Sequence, residues 1–98
     1  MSYKEHIKTV KGKKTKEIML FSLSTCMWCE KAKELLDELG LEYGHVTVDL
    51  LDKEEDQQEV YDMISKFSDN IGFPVLIIGG NEKAIIGFNE AEIRALAK

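Results

Sequence analysis

The sequence predicts an α/β fold, a single mixed sheet with helices on both faces. Three observations carry this. "IMLFSL" at residues 18–23 is a continuous apolar run; a helix-like stretch and then the alternating run "HVTVD" at 45–49 follow it, the signature of a βαβ unit. "VLII" at 75–78 and "KAII" at 83–86 flank the turn signal "GGN", which reads as an antiparallel hairpin. Between and after these lie two more stretches with apolar residues at helical spacing.

Each element has a local reason. The 18–23 run is apolar at every second and every intervening position but one, as suits a strand buried on both faces. From Trp28 onward Ala32, Leu35, Leu36 and Leu39 recur at helical spacing, and Gly40 stops the helix. Asp52 with Glu55 resembles a capping box for a second helix whose inner face carries Val60, Ile64 and Phe67. The acidic residues from Asp49 to Asp56 suit a solvated helix start favoured by the macrodipole. Asn89 with Glu92 caps a last helix with Ile93, Leu96 and Ala97 on its apolar side. The expected order is β-α-β-α-β-β-α, a four-stranded sheet flanked by three helices, its first unit parallel with a right-handed crossover. "HIKTV" at 6–10 has the pattern to add an N-terminal strand.

Composition narrows the function. Ninety-eight residues, 44% hydrophobic and 32% charged, describe one ordinary folded domain. The division expected is a lysine-rich extension at 1–16 and a main domain at 17–98. The net charge of −5 argues against nucleic acid as a partner. No apolar run is long enough for a membrane span. The charged N-terminus lacks the features of a secretory signal, so a cytoplasmic, reducing location is expected, where a close cysteine pair is more often catalytic or metal-binding than a permanent staple. Lys4, Lys8, Lys11, Lys13, Lys14 and Lys16 crowd the first sixteen residues and suit a solvated edge that discourages edge-to-edge pairing.

The chemistry centres on "LSTCMWCEKAKELL" at 23–36, which holds the chain's two cysteines. Cys26 falls where a strand ends and a helix begins. The unpaired N–H groups and positive dipole there favour a thiolate. Cys29, three residues on, lies within the first turn and can reach back to Cys26. That gives a nucleophile and a resolving thiol: a thioredoxin-like redox motif. Two other readings use the same sulfurs. Zinc would want four ligands, and only the isolated His6 and His45 accompany the cysteines. An iron–sulfur cluster shared by two chains needs two thiolates from each, or one from each with an added thiol. A purely structural disulfide would close a four-residue loop and restrain the unfolded chain little.

Pro74, the single proline, opens the third strand of the main domain. In this element order the loop before it lies beside the first helix's N-terminus, and a cis Phe73–Pro74 bond there would turn the Phe73 backbone N–H and C=O toward an extended substrate. Trp28 is expected to wall a substrate groove beside Met27. Thr25 is expected to cap the helix or hydrogen-bond the Cys26 thiolate. Gly87 lets a ligand backbone approach or serves a turn.

The segments "LFSLSTCMWCEKAKELLDELG" at 20–40 and "FPVLIIGGNEKAIIGFNEAEIRALAK" at 73–98, with the element order between them, resemble glutaredoxins of the thioredoxin-fold superfamily. The chain is especially similar to small archaeal glutaredoxin-like proteins and to the glutaredoxin-like hydrogen donors of ribonucleotide reductase, which also carry "GF" after the last strand. The resemblance implies a thiol–disulfide oxidoreductase of the thioredoxin fold acting in electron transport and cell redox homeostasis. Cys26 would be the nucleophile, Cys29 the resolving thiol and Pro74 cis. Thr25, Met27, Trp28, Phe73, Pro74, Gly87, Phe88, Asn89 and Glu90 would bind substrate. It implies no tightly bound cofactor, disulfide-containing proteins as partners, and a monomer. Electrons would come from glutathione or another small thiol, or from a thioredoxin-reductase-like flavoenzyme. The chain departs from the glutathione-using pattern in four places. Gly72-Phe73-Pro74 replaces Thr-Val-Pro, and Leu23-Ser24-Thr25 lacks the lysine before the first cysteine. Asn89-Glu90 replaces an acidic pair, and Asp69 lies where a basic or amide residue meets the glutathione carboxylate.

Overall fold

A computed structural model describes residues 3–80 and 82–97. Five strands form one sheet in the order β1-β3-β2-β4-β5. They are β1 (Lys8–Val10), β2 (Ile18–Ser22), β3 (Tyr43–Thr47), β4 (Val75–Ile78) and β5 (Lys83–Ile86), with helices α1 (Met27–Glu38), α2 (Glu54–Ser65) and α3 (Glu90–Ala95). β2 and β3 are parallel, whereas β1–β3, β2–β4 and β4–β5 are antiparallel. The sheet is therefore the predicted mixed one, with the N-terminal strand added as a fifth at the β3 edge.

The central strands are buried on both sides, as their unbroken apolar runs require. Ile18 and Leu20 of β2, with Leu76 and Ile78 of β4, face Ala32, Leu35 and Leu36 of α1 and Ile93 of α3. Phe21, Val75 and Ile77 face the other way, onto Val60 and Ile64 of α2. Tyr3, from a 3-10 turn at Tyr3–His6, closes this second core edge-on to Phe21 with 5.5 Å between ring centroids. Residues 3–10 of the segment set apart as an extension thus pack onto the sheet. Residues 11–13 are tied to the α1–β3 turn, with Lys13 N–H donating to the Gly40 carbonyl at 2.8 Å and accepting at its own carbonyl from Glu42 N–H at 3.0 Å. Gly12 permits that approach: a Cβ there would stand 2.6 Å from the Gly40 oxygen.

α1 ends as Gly40 predicts. Gly40 adopts φ +68°, its N–H bonds the Asp37 carbonyl, and Leu41 N–H bonds the Leu36 carbonyl. Two local expectations are corrected. The strand expected over 45–49 is Tyr43–Thr47, because pairing with β2 runs from Met19↔Gly44 to Ser22↔Thr47 and Val48–Leu50 then coil into a 3-10 turn. The Asp52–Glu55 capping box does not form: α2 begins one residue later, with Lys53 at the N-cap and no side-chain cap bond. His45 is half-buried and its Nε2 is 2.8 Å from Ser22 Oγ. The hairpin strands and the Asn89 cap match, with Glu92 N–H donating to Asn89 Oδ1 at 3.1 Å. Asn81 of the turn signal lies outside the described residues.

Candidate active site

The parallel strands β2 and β3 end on the same side of the sheet, and the chain leaves β2 there to start α1. Cys26 sits at that junction. It is itself the N-cap of α1, in an extended conformation, and its Sγ accepts the Cys29 N–H at 3.2 Å. The cap role expected of Thr25 therefore falls to the cysteine, and Thr25 stands exposed one residue before it. A sulfur in the place of a capping oxygen receives an N–H that the helix leaves unpaired, at the positive end of the dipole. This arrangement stabilises negative charge on Cys26. Cys26 and Cys29 are joined as a disulfide with their Cα atoms 5.2 Å apart. Cys26 is half-buried, but Cys29 is only 3% exposed, so a partner can approach the first sulfur and not the second.

Two further segments meet this junction. The Phe73–Pro74 peptide bond is cis, and the Phe73 carbonyl oxygen lies 3.9 Å from Cys26 Sγ. Tyr61 of α2 packs edge-on against Phe73, with 6.0 Å between centroids. The Pro74 carbonyl accepts Gly87 N–H at 2.7 Å, tying the proline loop to the turn after β5. Gly87 adopts φ +82°, so its role is at least that of a turn residue, and the backbone then turns to bring Phe88 over α1. Phe88 stacks on Trp28 at 5.5 Å and 29° between planes. Met27 and Trp28 are 69% and 53% exposed beside Cys26. Asn89 and Glu90 sit at the start of α3, where Asn89 caps the helix and Glu90 accepts from Arg94 Nε at 2.8 Å. The structure thus brings Cys26, Cys29, Phe73 and Pro74 together, and Gly87, Phe88 and Trp28 adjoin them. Asn89 and Glu90 already spend side-chain oxygens on their own helix.

Asp49, expected within a solvated acidic run, belongs to the same end of the sheet. Its carboxylate accepts both the Ser24 backbone N–H at 2.9 Å and the Ser24 hydroxyl at 2.6 Å. The hydroxyl bond first, and the N–H bond with it, hold this carboxyl below its ordinary range. The pair pins the loop two residues before Cys26. A loop serine and a carboxylate 25 residues after it have no distinctive spacing, and only the parallel register brings them together. On the sheet behind, burial, and then Lys33 and Lys8, push His45 down, while Glu30 opposes them. A cavity of about 1150 Å³ lies elsewhere, between the N-terminal turn, α2 and the beginning of β2, and is lined by none of the predicted site residues.

The alternative of metal or cluster carriage is not favoured. Cys26 and Cys29 are bonded to each other, and among the described residues no group of three His, Cys, Asp or Glu side chains is placed to hold a metal ion within the chain. Also among the described residues, no helix is long and apolar enough to cross a membrane.

Comparison with known proteins agrees with this geometry. The family described as Glutaredoxin matches residues 18–82. A glutaredoxin-like 8.6 kDa protein of the rubredoxin operon of Clostridium pasteurianum is 37% identical over 79 residues, 81% of this chain and 95% of that protein. Among solved structures, the glutaredoxin of Methanosarcina mazei Go1 superposes with TM-score 0.83 at 38% identity, covering 93% of this chain and 86% of the other. Methanoredoxin of Methanosarcina acetivorans superposes with TM-score 0.80 at 41% identity, covering 88% of each chain. With its Cys26-x-x-Cys29 pair at disulfide distance on this fold, the chain belongs to the glutaredoxin family and is a thiol–disulfide oxidoreductase.

Proposed function

We propose that the protein reduces disulfides of other proteins, with Cys26 as nucleophile and Cys29 as resolving thiol. The observation that carries the assignment of roles is the Cys29 N–H bond to Cys26 Sγ at 3.2 Å, together with the burial of Cys29. The Cys26 thiolate attacks one sulfur of the target disulfide, and the other leaves as a thiolate. The Cys29 thiolate then attacks Cys26 Sγ, which closes the intramolecular disulfide and expels the second target thiolate. Two electrons pass from the dithiol to the target, and two protons from the medium complete its thiols. The Phe73 backbone beside Cys26 suits pairing with an extended target segment. Thr25, Met27, Trp28, Pro74, Gly87, Phe88, Asn89 and Glu90 border that approach. We assign this chemistry to residues 17–98, with 1–16 as an extension of it.

Electrons return from a low-molecular-weight thiol or a flavin-dependent reductase. Glutathione is the less suited donor, since Asp69 would repel its carboxylate, and Asn89 and Glu90 are engaged with α3. The setting of this exchange would be the cytoplasm. Cys29→Ser tests the roles: it should arrest exchange as a mixed disulfide between Cys26 and the target, and Cys26→Ser should remove activity. Full disulfide reductase activity in Cys26→Ser would refute the assignment.

A further inference from the structure

The turn that carries Cys26 is weakly closed by its own backbone. It runs from the end of β2 at Ser22 through Leu23, Ser24 and Thr25 to Cys26, the N-cap of α1. Cys26 N–H bonds the Leu23 carbonyl across it, and that bond is long at 3.4 Å. Ser24 and Thr25 are exposed, so apolar packing does not hold the middle of the turn. The short bonds come from another strand: Asp49 accepts the Ser24 N–H at 2.9 Å and the Ser24 hydroxyl at 2.6 Å. The register places this carboxylate. β2 and β3 pair in parallel up to Ser22↔Thr47, and Ser24 and Asp49 each lie two residues beyond that pair. Asp49 itself rides on an anchored turn. Val48 and Leu51 on either side of it are buried, and Leu51 N–H bonds the Val48 carbonyl at 3.2 Å. The bond from Cys29 N–H to Cys26 Sγ is directional, and a turn free to shift would weaken it.

We propose that Asp49 is a positioning residue for the nucleophile: through Ser24 it fixes the turn from Leu23 to Cys26, and so keeps Cys26 Sγ at the cap of α1 where its thiolate is favoured. The proposal rests on Cys26 as the nucleophile. Both bonds go to Ser24, so Asp49 acts through the turn. Its charge works in the opposite sense, because a carboxylate near a thiolate disfavours it, and removing the charge alone would raise the thiolate fraction. The two effects differ in sign and can be separated.

The test uses reduced Cys29→Ser protein, in which Cys26 is the one thiol, and reads iodoacetamide alkylation against pH with Asp49→Ala, Asp49→Asn or Ser24→Ala added. In Asp49→Ala both bonds are lost; the rate at neutral pH should fall about fivefold and the profile should move to higher pH. In Asp49→Asn the amide can still accept the Ser24 N–H and donate to the Ser24 hydroxyl oxygen, so most of the parental rate should return. Ser24→Ala removes the hydroxyl bond alone and should fall between the two. It carries the test if Asp49→Ala loses its native far-UV circular dichroism, and a parental rate in it then overturns the proposal. An Asp49→Ala profile that coincides with the parent or lies at lower pH overturns it, because the charge would then act alone or not at all. An equal fall in Asp49→Asn and Asp49→Ala overturns it too, since the amide keeps the bonding geometry. Alkylation reads the turn directly, whereas the assignment of Cys26 as nucleophile is judged separately, by the disulfide reductase activity of Cys26→Ser.

Discussion

The placement of Cys26 sulfur at the cap of α1 has a measurable consequence. In Cys29→Ser, once reduced, Cys26 stands alone while the backbone N–H at position 29 remains, 3.2 Å from the sulfur in the native structure. A hydrogen bond to a charged group contributes ~1.5–3 kcal/mol. The helix N-terminus adds ~0.3–1 kcal/mol. Against them stand partial burial and the Phe73 carbonyl oxygen 3.9 Å away, which favours the protonated sulfur. A net ~2 kcal/mol multiplies the thiolate-to-thiol ratio about thirtyfold. An unperturbed thiol is a few per cent ionised at pH 7, so Cys26 should be roughly half ionised there. The assay is the rate of iodoacetamide alkylation of Cys29→Ser against pH, with the same variant in guanidinium chloride as reference. The native profile should rise at lower pH than the unfolded one, and Cys29 in Cys26→Ser, a buried position, should react at least ~10-fold more slowly than Cys26. Coincident native and unfolded profiles would refute the reasoning, because the cap would then contribute nothing to the anion.

Two other outcomes follow from the fold. Gly12→Ala would set a Cβ 2.6, 2.7 and 2.9 Å from backbone atoms of Gly40, Leu41 and Glu42, which no side-chain rotation relieves. The resulting overpacking should cost ~1–3 kcal/mol and lower the guanidinium midpoint, whereas an unchanged midpoint would mean that the Lys13 bridge yields freely. His45 is pushed down by burial, Lys33 and Lys8, so the unfolded chain binds the proton more readily than the native one. Stability should therefore fall as pH drops from about 6.5 toward the lowered native value. His45→Gln should flatten that slope in denaturant titrations between pH 7.5 and 5.5; an equal slope in both proteins would assign the pH dependence to other groups.

Much of this fold was legible because its signals are local. The uninterrupted apolar runs of β2 and β4 announce burial on both faces, and the structure packs them between α1 and α3 on one side and α2 on the other. Gly40 and Asn89 mark their helix ends through their own backbone and side-chain chemistry. The cysteine spacing and Pro74 located the reactive end of the sheet. What escaped the sequence depends on contacts between distant segments. The bounds of β3 follow its register with β2 and not its β-branched run. Gly12 matters through the α1–β3 turn, which lies almost thirty residues on. The acidic run hid Asp49, whose bonds to Ser24 exist because two parallel strands end side by side. Thr25 looked like the cap because cysteine is not among the usual capping residues.

The central claim is that Cys26 and Cys29 form a reversible two-electron couple. Its direct test is a redox titration of anaerobically purified protein, read by thiol alkylation and mass. The account predicts one transition in which both thiols appear and vanish together, with a midpoint between about −180 and −280 mV, the range from protein disulfide isomerase to thioredoxin. Thiols that resist alkylation until a chelator is added, with no two-electron transition, would contradict it.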